Sequence, residues 1–341
     1  MKRLVEKARS LTDPASPEAM TARVTTLERQ IAEERAKVAS EKARHGFLTS
    51  IIEEQQNRIE RIESGLFKFP KQKPGKTPST FLRVCLPDTH GCCVAPAAIS
   101  AFLADLESLK PHEIIMLGDH VDCGGFLAQN HTMGYVAQTS YTYEDDLSAA
   151  NQLLDEMQKI CPSARIEYLE GNHEFRVSRY CVTQALRNGQ DANFLLKLLS
   201  VKNQLRLKDR GIPYYQQGQF YDDCPIPATI KRGKCHFTHG SRTGSNAARS
   251  MLHDFGGNVV FGHVHRAMSF VAQTVKGGQV GAWCPGFLGK LQPYWMHTQI
   301  TGWAHGYGLQ IVEETSGDFL HLNVPIIDGK SLLFSLTKRL R

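Results

Sequence analysis

The chain has 341 residues, 41% of them hydrophobic, enough for a sizeable core in one large domain or in a domain with an appendage. Its formal charge of +6 is mildly basic, which favours a phosphate-bearing partner but lacks the strong, clustered charge of many nucleic-acid-binding domains. The nine cysteines are odd in number and form no C-x-x-C pair, so reduced thiols are expected rather than a disulfide framework.

Residues 1–15 read as a polar lead-in. The opening MKRLVEKARSLTDP lacks the apolar run of a secretory leader, and no stretch approaches the roughly 20 apolar residues of a membrane span. The expectation is a soluble, cytoplasmic protein with no membrane partner. Ser16-Pro17-Glu18 is a helix start: a capping serine, proline at the first helical position and an acid in the first turn. From there a heptad pattern runs to Leu66. One seam (Val24, Ile31, Val38, His45, Ile52, Ile59, Leu66) is apolar except at His45. The other (Leu27, Glu34, Glu41, Leu48, Gln55, Ile62) is half polar. Glycine at 46 costs about 1 kcal/mol in a helix interior, so the segment is either one long helix or a hairpin of two. Self-association through 17–66, giving a homo-oligomer, is the preferred reading. The alternative is an amphipathic helix lying on its own catalytic domain.

The stretch KFPKQKPGKTPST (68–80) is a linker. Three segments follow: 1–67 helical or coiled coil, 68–80 linker, 81–341 catalytic domain. Beyond the linker, strands are predicted at 81–86, 113–117 and 165–169, with helices at 97–110 and 145–160. Further strands fall at 234–238, 258–262, 268–275, 279–284, 307–313 and 318–324. Early alternation of strand and helix followed by a β-rich end predicts an α/β fold, a layered β-sandwich core flanked by helices.

The informative residues lie where these strands end. They are Asp88-Thr89-His90-Gly91, Gly118-Asp119-His120-Val121-Asp122, Gly171-Asn172-His173-Glu174, His239-Gly240 and Gly262-His263-Val264-His265. Strand carboxyl ends in open α/β sheets converge on one crevice. In Asp88-x-His90 and His263-x-His265 an extended backbone would point both side chains the same way, so each pair could serve one centre. Carboxylate, imidazole and amide oxygen together suit manganese, iron or zinc better than calcium. Each piece alone has an ordinary explanation as a turn or a satisfied histidine; all five in order after apolar runs do not.

The series D-x-H, G-D-x-x-D, G-N-H-E, H-G and G-H-x-H resembles the signature of calcineurin-like metallophosphoesterases, with every element intact over 88–265. The stretch from Gly281 through Trp303 to Asp328-Gly329 looks like the tail of metallophosphoesterases common in bacteriophages and prophages, which would place the protein in a host cytoplasm. The resemblance implies two divalent metal ions, manganese first. One would be held by Asp88, His90 and His265, and the other by Asn172, His239 and His263, with Asp119 bridging. It implies His173 facing the leaving-group oxygen, oriented by Asp122, and a water attacking phosphorus in line.

Departures narrow the substrate. Serine/threonine phosphatases of this superfamily carry arginine directly after the second Asp of G-D-x-x-D; here Cys123 stands there. The segment 126–146 holds Tyr135, Tyr141 and Tyr143, which could stack on bases as a lid or could pack as a surface loop. Arg176, Arg179, Arg187, Arg242 and Arg266 follow motif residues closely and are candidates for phosphate binding. The leading expectation is a phosphodiesterase or nuclease acting on DNA or RNA. The alternatives are a phosphatase or phosphodiesterase for small molecules, nucleotides or phosphoproteins, and, more remotely, a non-catalytic scaffold stabilised by metal.

Overall fold

The computed structural model describes residues 17–63, 79–124, 141–185, 189–275, 278–293 and 300–333. The expected lead-in, nearly all of the expected linker, Leu66, residues 125–140 with Tyr135, and Arg187 lie outside them. The chain divides into two units, Met1–Gly75 and Lys76–Arg341.

In the first unit, α1 (Pro17–Glu63) is one continuous helix of 47 residues, and the hairpin alternative falls away. Proline is its first residue, where its missing N–H costs nothing. Gly46 sits in open space, so its modest penalty is absorbed by a long hydrogen-bonded ladder. The apolar seam is exposed at Val24, Leu27, Ile31, Val38, Leu48, Ile52 and Ile59.

The second unit is a two-sheet sandwich with helices outside, the expected α/β architecture. Its elements in chain order begin with β1 (Thr80–Leu86), α2 (Pro96–Leu109), β2 (Glu113–Met116), α3 (Tyr143–Ile160), β3 (Arg165–Leu169), α4 (Asn172–Gln184), α5 (Gly189–Leu199), α6 (Val201–Gln204) and β4 (Tyr214–Tyr215). They continue with β5 (Thr229–Arg232), β6 (Cys235–Thr238), α7 (Ala247–Phe255), β7 (Asn258–Phe261), β8 (Ala267–Thr274), β9 (Gly278–Pro285), β10 (Gly306–Glu313), β11 (Phe319–Ile327) and β12 (Lys330–Ser331). The larger sheet runs β12-β11-β10-β1-β2-β3-β4 and the smaller β5-β6-β7-β9-β8. Strands β1 to β4 are parallel, as are β6, β7 and β9, so their carboxyl ends share one edge of each sheet.

Alternation along the strands builds the layers. Cys85, Ile115, Leu117 and Leu169 face Ile230, Cys235, Phe237 and Val260 between the sheets. Their neighbours Val84, Leu86, Ile114 and Met116 turn outward onto Phe102 and Leu106 of α2 and Leu154 and Met157 of α3. Beneath the smaller sheet, Val259 and Phe261 pack on Met251 and Leu252 of α7. Each fully buried side chain of this size contributes about 1.5–3 kcal/mol. Helix α3 starts at Tyr143 rather than at 145, because Thr142 and Asp145 form a reciprocal capping box.

One buried ion pair links the sheets. Glu167 of β3 accepts from Arg232 of β5 at 2.7 and 2.9 Å and from the Tyr215 hydroxyl of β4 at 2.9 Å. Burial alone raises the Glu167 carboxyl, but Arg232, Tyr215 and Arg165 outweigh it and hold it below its ordinary value of 4.5. A depressed carboxyl contributes stability above the unfolded-state value and loses it as pH falls through the folded value. Glu167→Gln is expected to cost about 3 kcal/mol at pH 7, read as a lower urea midpoint. The gap to the parent protein should shrink in acid; equal losses at pH 3 and pH 7 would remove the carboxylate charge from the explanation.

Candidate metal centre

Every motif stands just past a parallel strand. Asp88 and His90 follow β1, Asp119 and Asp122 follow β2, and Asn172 and His173 open α4 after β3. His239 follows β6, and His263 and His265 follow β7. The strand ends of both sheets therefore converge, as ligand sites in such sheets do.

The local backbone is not extended. His90 (φ 56°), Asp119 (φ 54°), His263 (φ 70°) and His265 (φ 56°) are all left-handed. This corrects the expectation that an extended His263-x-His265 aims both rings at one centre. The two imidazoles part company: His265 groups with Asp88 and His90, whereas His263 groups with Asp119 and His239. Two glycines are required by close approach. A Cβ at Gly171 would lie 2.1 Å from Asp119 Oδ1, and one at Gly262 would lie 2.4 Å from Asp88 Oδ1.

In the first group, His265 Nε2 lies 3.1 Å from Asp88 Oδ2 and 3.0 Å from His90 Nε2. His90 donates from Nδ1 to Asp122 Oδ1 at 2.9 Å, which leaves its Nε2 a lone pair facing His265 and Asp88. In the second, His239 donates from Nδ1 to the Leu117 carbonyl at 2.9 Å. Its Nε2 then faces Asn172 Oδ1 at 3.0 Å and Asp119 Oδ2 at 3.2 Å. In both groups, imidazole nitrogens and carboxylate or amide oxygens approach one another at 3.0–3.2 Å. That arrangement fits a cation: oxygen and imidazole donors, with ring tautomers fixed from behind.

The electrostatics agree. Burial raises the Asp88 and Asp119 carboxyls, yet the surrounding imidazoles outweigh it and hold both well below the usual range. Burial lowers the His239 imidazole, while Asp119 and Asp88 together push it up to about 10. Two buried carboxylates call for positive charge nearby, which divalent ions would supply without protonating the imidazoles.

His173 lies beside both groups. Its backbone N–H donates to Asp119 Oδ1 at 2.8 Å, and its Nδ1 lies 2.8 Å from the Asp122 carbonyl and 3.2 Å from Asp122 Oδ1. Burial lowers its pKa, but Asp119 and Asp122 override that and the net direction is upward. The Asp122 carboxylate is shared, taking His90 on one oxygen and the Tyr141 hydroxyl on the other. Tyr141 therefore braces Asp122 through its hydroxyl, and Tyr143 is buried with its hydroxyl on the Leu199 carbonyl.

Of the candidate arginines among the described residues, only Arg176 borders the cavity beside these groups, with a guanidinium nitrogen 3.0 Å from each ring nitrogen of His173. Arg179 is exposed and Arg266 passes Gly302; neither lines the cavity. Arg242 pairs at the surface with Asp254 of α7 at 2.6 and 2.9 Å. Cys123, where protein phosphatases carry arginine, is buried.

Sequence reasoning passed over Glu174. It lies at the third position of α4, reaching back to the helix start, a position where glutamate commonly caps. Its carboxylate accepts from the backbone N–H of Gly171, Asp119, His120 and Val121 at 2.7–3.2 Å, and from the Tyr168 hydroxyl at 2.8 Å.

A family model described as calcineurin-like phosphoesterase matches residues 84–267. Among solved structures, the chain is similar to a hypothetical protein of Pyrococcus horikoshii at 12% identity, covering 76% of this chain and 92% of that one, with a TM-score of 0.36. It is similar to Yfce, a phosphoesterase from E. coli, at 14% identity, 71% and 98% coverage and a TM-score of 0.30. A third likeness is to the nuclease MPE of Pseudomonas putida, at 15% identity, 70% and 87% coverage and a TM-score of 0.27. No curated protein matches the chain.

Glu174→Gln sets amide hydrogens against backbone N–H groups that now find an acceptor. The expected result is a loss of about 2–4 kcal/mol in urea unfolding and a fall of about 10- to 100-fold in divalent-metal affinity by calorimetry. Unchanged metal affinity would show that these loops hold their shape without it.

Proposed function

This chain belongs to the calcineurin-like phosphoesterase family, hydrolases of phosphoester bonds, and we propose that it is a two-metal phosphodiesterase acting on nucleic acid. The observation that carries the reading is the pair of converging acceptor groups with His173 beside them. Asp88, His90 and His265 would hold one divalent ion and Asn172, His239 and His263 the other, with Asp119 between them. Manganese suits this donor set, and iron or zinc would also. When bound, the ions supply Lewis acidity toward the phosphate and an activated water for in-line attack.

The chain's own groups do the rest. His173, whose pKa Asp119 and Asp122 raise against burial and the Arg176 charge, is placed to give an Nε2 proton to the departing oxygen while the Asp122 carbonyl accepts from Nδ1. Arg176 flanks His173 and offers charge to a phosphoryl oxygen. Lys290, also on the cavity wall, adds a second cation. These cations, the net charge of +6 and the phage-like tail support nucleic acid as substrate. The cavity, about 220 Å³, favours instead a second reading, a phosphatase or phosphodiesterase for small molecules or nucleotides. Cys123 in place of arginine weighs against phosphoproteins. A metal-stabilised scaffold would have no use for the His173–Asp122 arrangement.

The segment division 1–67, 68–80 and 81–341 belongs to the same proposal, with copies of the chain associating through the exposed seam of α1. Nine unpaired cysteines suit a reducing cytoplasm, and no described helix is long and apolar enough to cross a membrane.

Asp119→Asn is expected to abolish turnover; full activity with normal metal content would end the bridging assignment. His173→Ala should slow hydrolysis by about 100-fold or more while both metals stay bound by elemental analysis, and their loss would make it a ligand instead. The substrate reading is tested with manganese-loaded protein against p-nitrophenyl phosphate, its bis-ester and labelled single- and double-stranded DNA. Cleavage of the monoester alone would remove the nuclease reading. Deleting residues 1–70 should lower the mass seen by sedimentation, and an unchanged oligomer would end the seam's role.

A further inference from the structure

The cavity has one wall that no metal or phosphate requires. Phe287, just past β9, stacks on His265 with centroids 4.5 Å apart and planes 7° apart. Trp303, ahead of β10, stands at 78° to His265 and 72° to Phe287, at 4.6 and 5.2 Å. The indole therefore stands steeply to both stacked rings and packs against them. Trp303 is only half-buried and borders the cavity, so its remaining surface is available there.

The segments that carry these rings are cross-braced. Phe287 N–H donates to the Ala304 carbonyl at 3.0 Å, Ala304 N–H to the His265 carbonyl at 2.9 Å and Gly306 N–H to the Phe287 carbonyl at 3.3 Å. A Cβ at Gly286 would lie 2.3 Å from the Ala304 oxygen, so this approach is set by the backbone. The indole is therefore held in place before any substrate arrives, which spares the ordering cost of binding. From Trp303 the cavity wall runs through His265 and His90 to His173 and Arg176, with Lys290 on its rim. An aromatic platform thus stands at one end and the Arg176 guanidinium at the other, with His265, His90 and His173 between.

We infer that Trp303 is a specificity residue that stacks an unpaired nucleobase of a nucleoside phosphodiester whose phosphate lies over His90 and His265. A flat, sequence-tolerant π-face is what an indole recognises, and a base still paired in a duplex cannot present one. The inference rests on the phosphodiesterase reading above and narrows its substrate to single-stranded or frayed ends and nucleotide esters.

The test compares two pairs of probes on the full-length, manganese-loaded protein and on Trp303→Leu, which keeps apolar bulk against His265 and Phe287 but removes the π-face. Thymidine 5′-monophosphate and ribose 5-phosphate are compared by equilibrium dialysis. Thymidine 5′-p-nitrophenyl phosphate and methyl p-nitrophenyl phosphate, which share a leaving group, are compared by turnover. The parent should favour the thymidine member of each pair by about 10-fold or more. In Trp303→Leu that ratio should collapse toward one, and Trp303→Phe should restore most of it. A parent without preference, or a Leu variant that weakens both members of a pair equally, overturns the inference and leaves Trp303 as packing for His265. If neither ester is hydrolysed, the phosphodiesterase reading fails, while the dialysis ratio still decides the role of Trp303.

Discussion

The arrangement of the centre depends on one buried carboxylate. Glu174, 1% exposed, accepts four backbone N–H groups from the ends of β2 and β3 and a fifth bond from Tyr168. Those amides would otherwise be orphaned in a place closed to water, at a cost of about 1–3 kcal/mol each. Burial and the neighbouring Asp119 charge push the Glu174 carboxyl up to about 7, whereas Tyr168 and the N–H donors favour its anion. By gathering the amides of Asp119 to Val121, Glu174 supports the left-handed turn at Asp119. That turn in turn lets Asp119 Oδ1 receive the His173 amide. Asp119, the loop that follows it and, through Asp119, the His173 amide are positioned by the same side chain.

Behind the converging atoms, two of the imidazoles are fixed through the nitrogen that faces away from the centre. His239 is held by the Leu117 carbonyl and His90 by Asp122, whose other oxygen takes Tyr141. His120 shows the opposite use of the same residue type. It is fully buried and held near about 3 by that burial, so it stays neutral, taking the Gly118 amide on Nε2 at 3.3 Å and pairing Nδ1 with Thr89 at 3.1 Å. Histidines on different strand ends thus differ in what their second nitrogen meets, His120 serving as a strut where His90 and His239 are proposed as ligands.

The sequence makes some of this legible and hides the rest for identifiable reasons. Strands β1 to β3 are short apolar runs buried on both faces, and the polar clusters after them stand out by contrast, so the strand-end residues could be read directly. The hidden parts depend on contacts between distant segments. Tyr141 meets Asp122, and Trp303 meets His265, across stretches with no shared pattern. Arg242 looks like a phosphate ligand beside His239 until α7, a nine-residue helix given no element by periodicity, brings Asp254 to it. Glu174 was visible as the last letter of G-N-H-E; its capping geometry was the available signal.

The parting of His263 and His265 shows why two adjacent groups can arise from so few residues. On an extended strand, residues two apart share a face and would crowd one centre, leaving the other short of a ligand. Two left-handed residues in a row of three instead swing successive rings apart, one toward Asp119 and one toward Asp88. Each such backbone state costs about 1–3 kcal/mol for a residue with a Cβ, so the surroundings must fix it more than once. They do: His263 N–H is bonded to the Asp88 carboxylate at 3.0 and 3.1 Å, and the His265 carbonyl accepts the Ala304 amide. Asp88 therefore sets the turn that delivers the ring of the other group. The two groups are thus joined through the Asp88 carboxylate and the backbone N–H of His263.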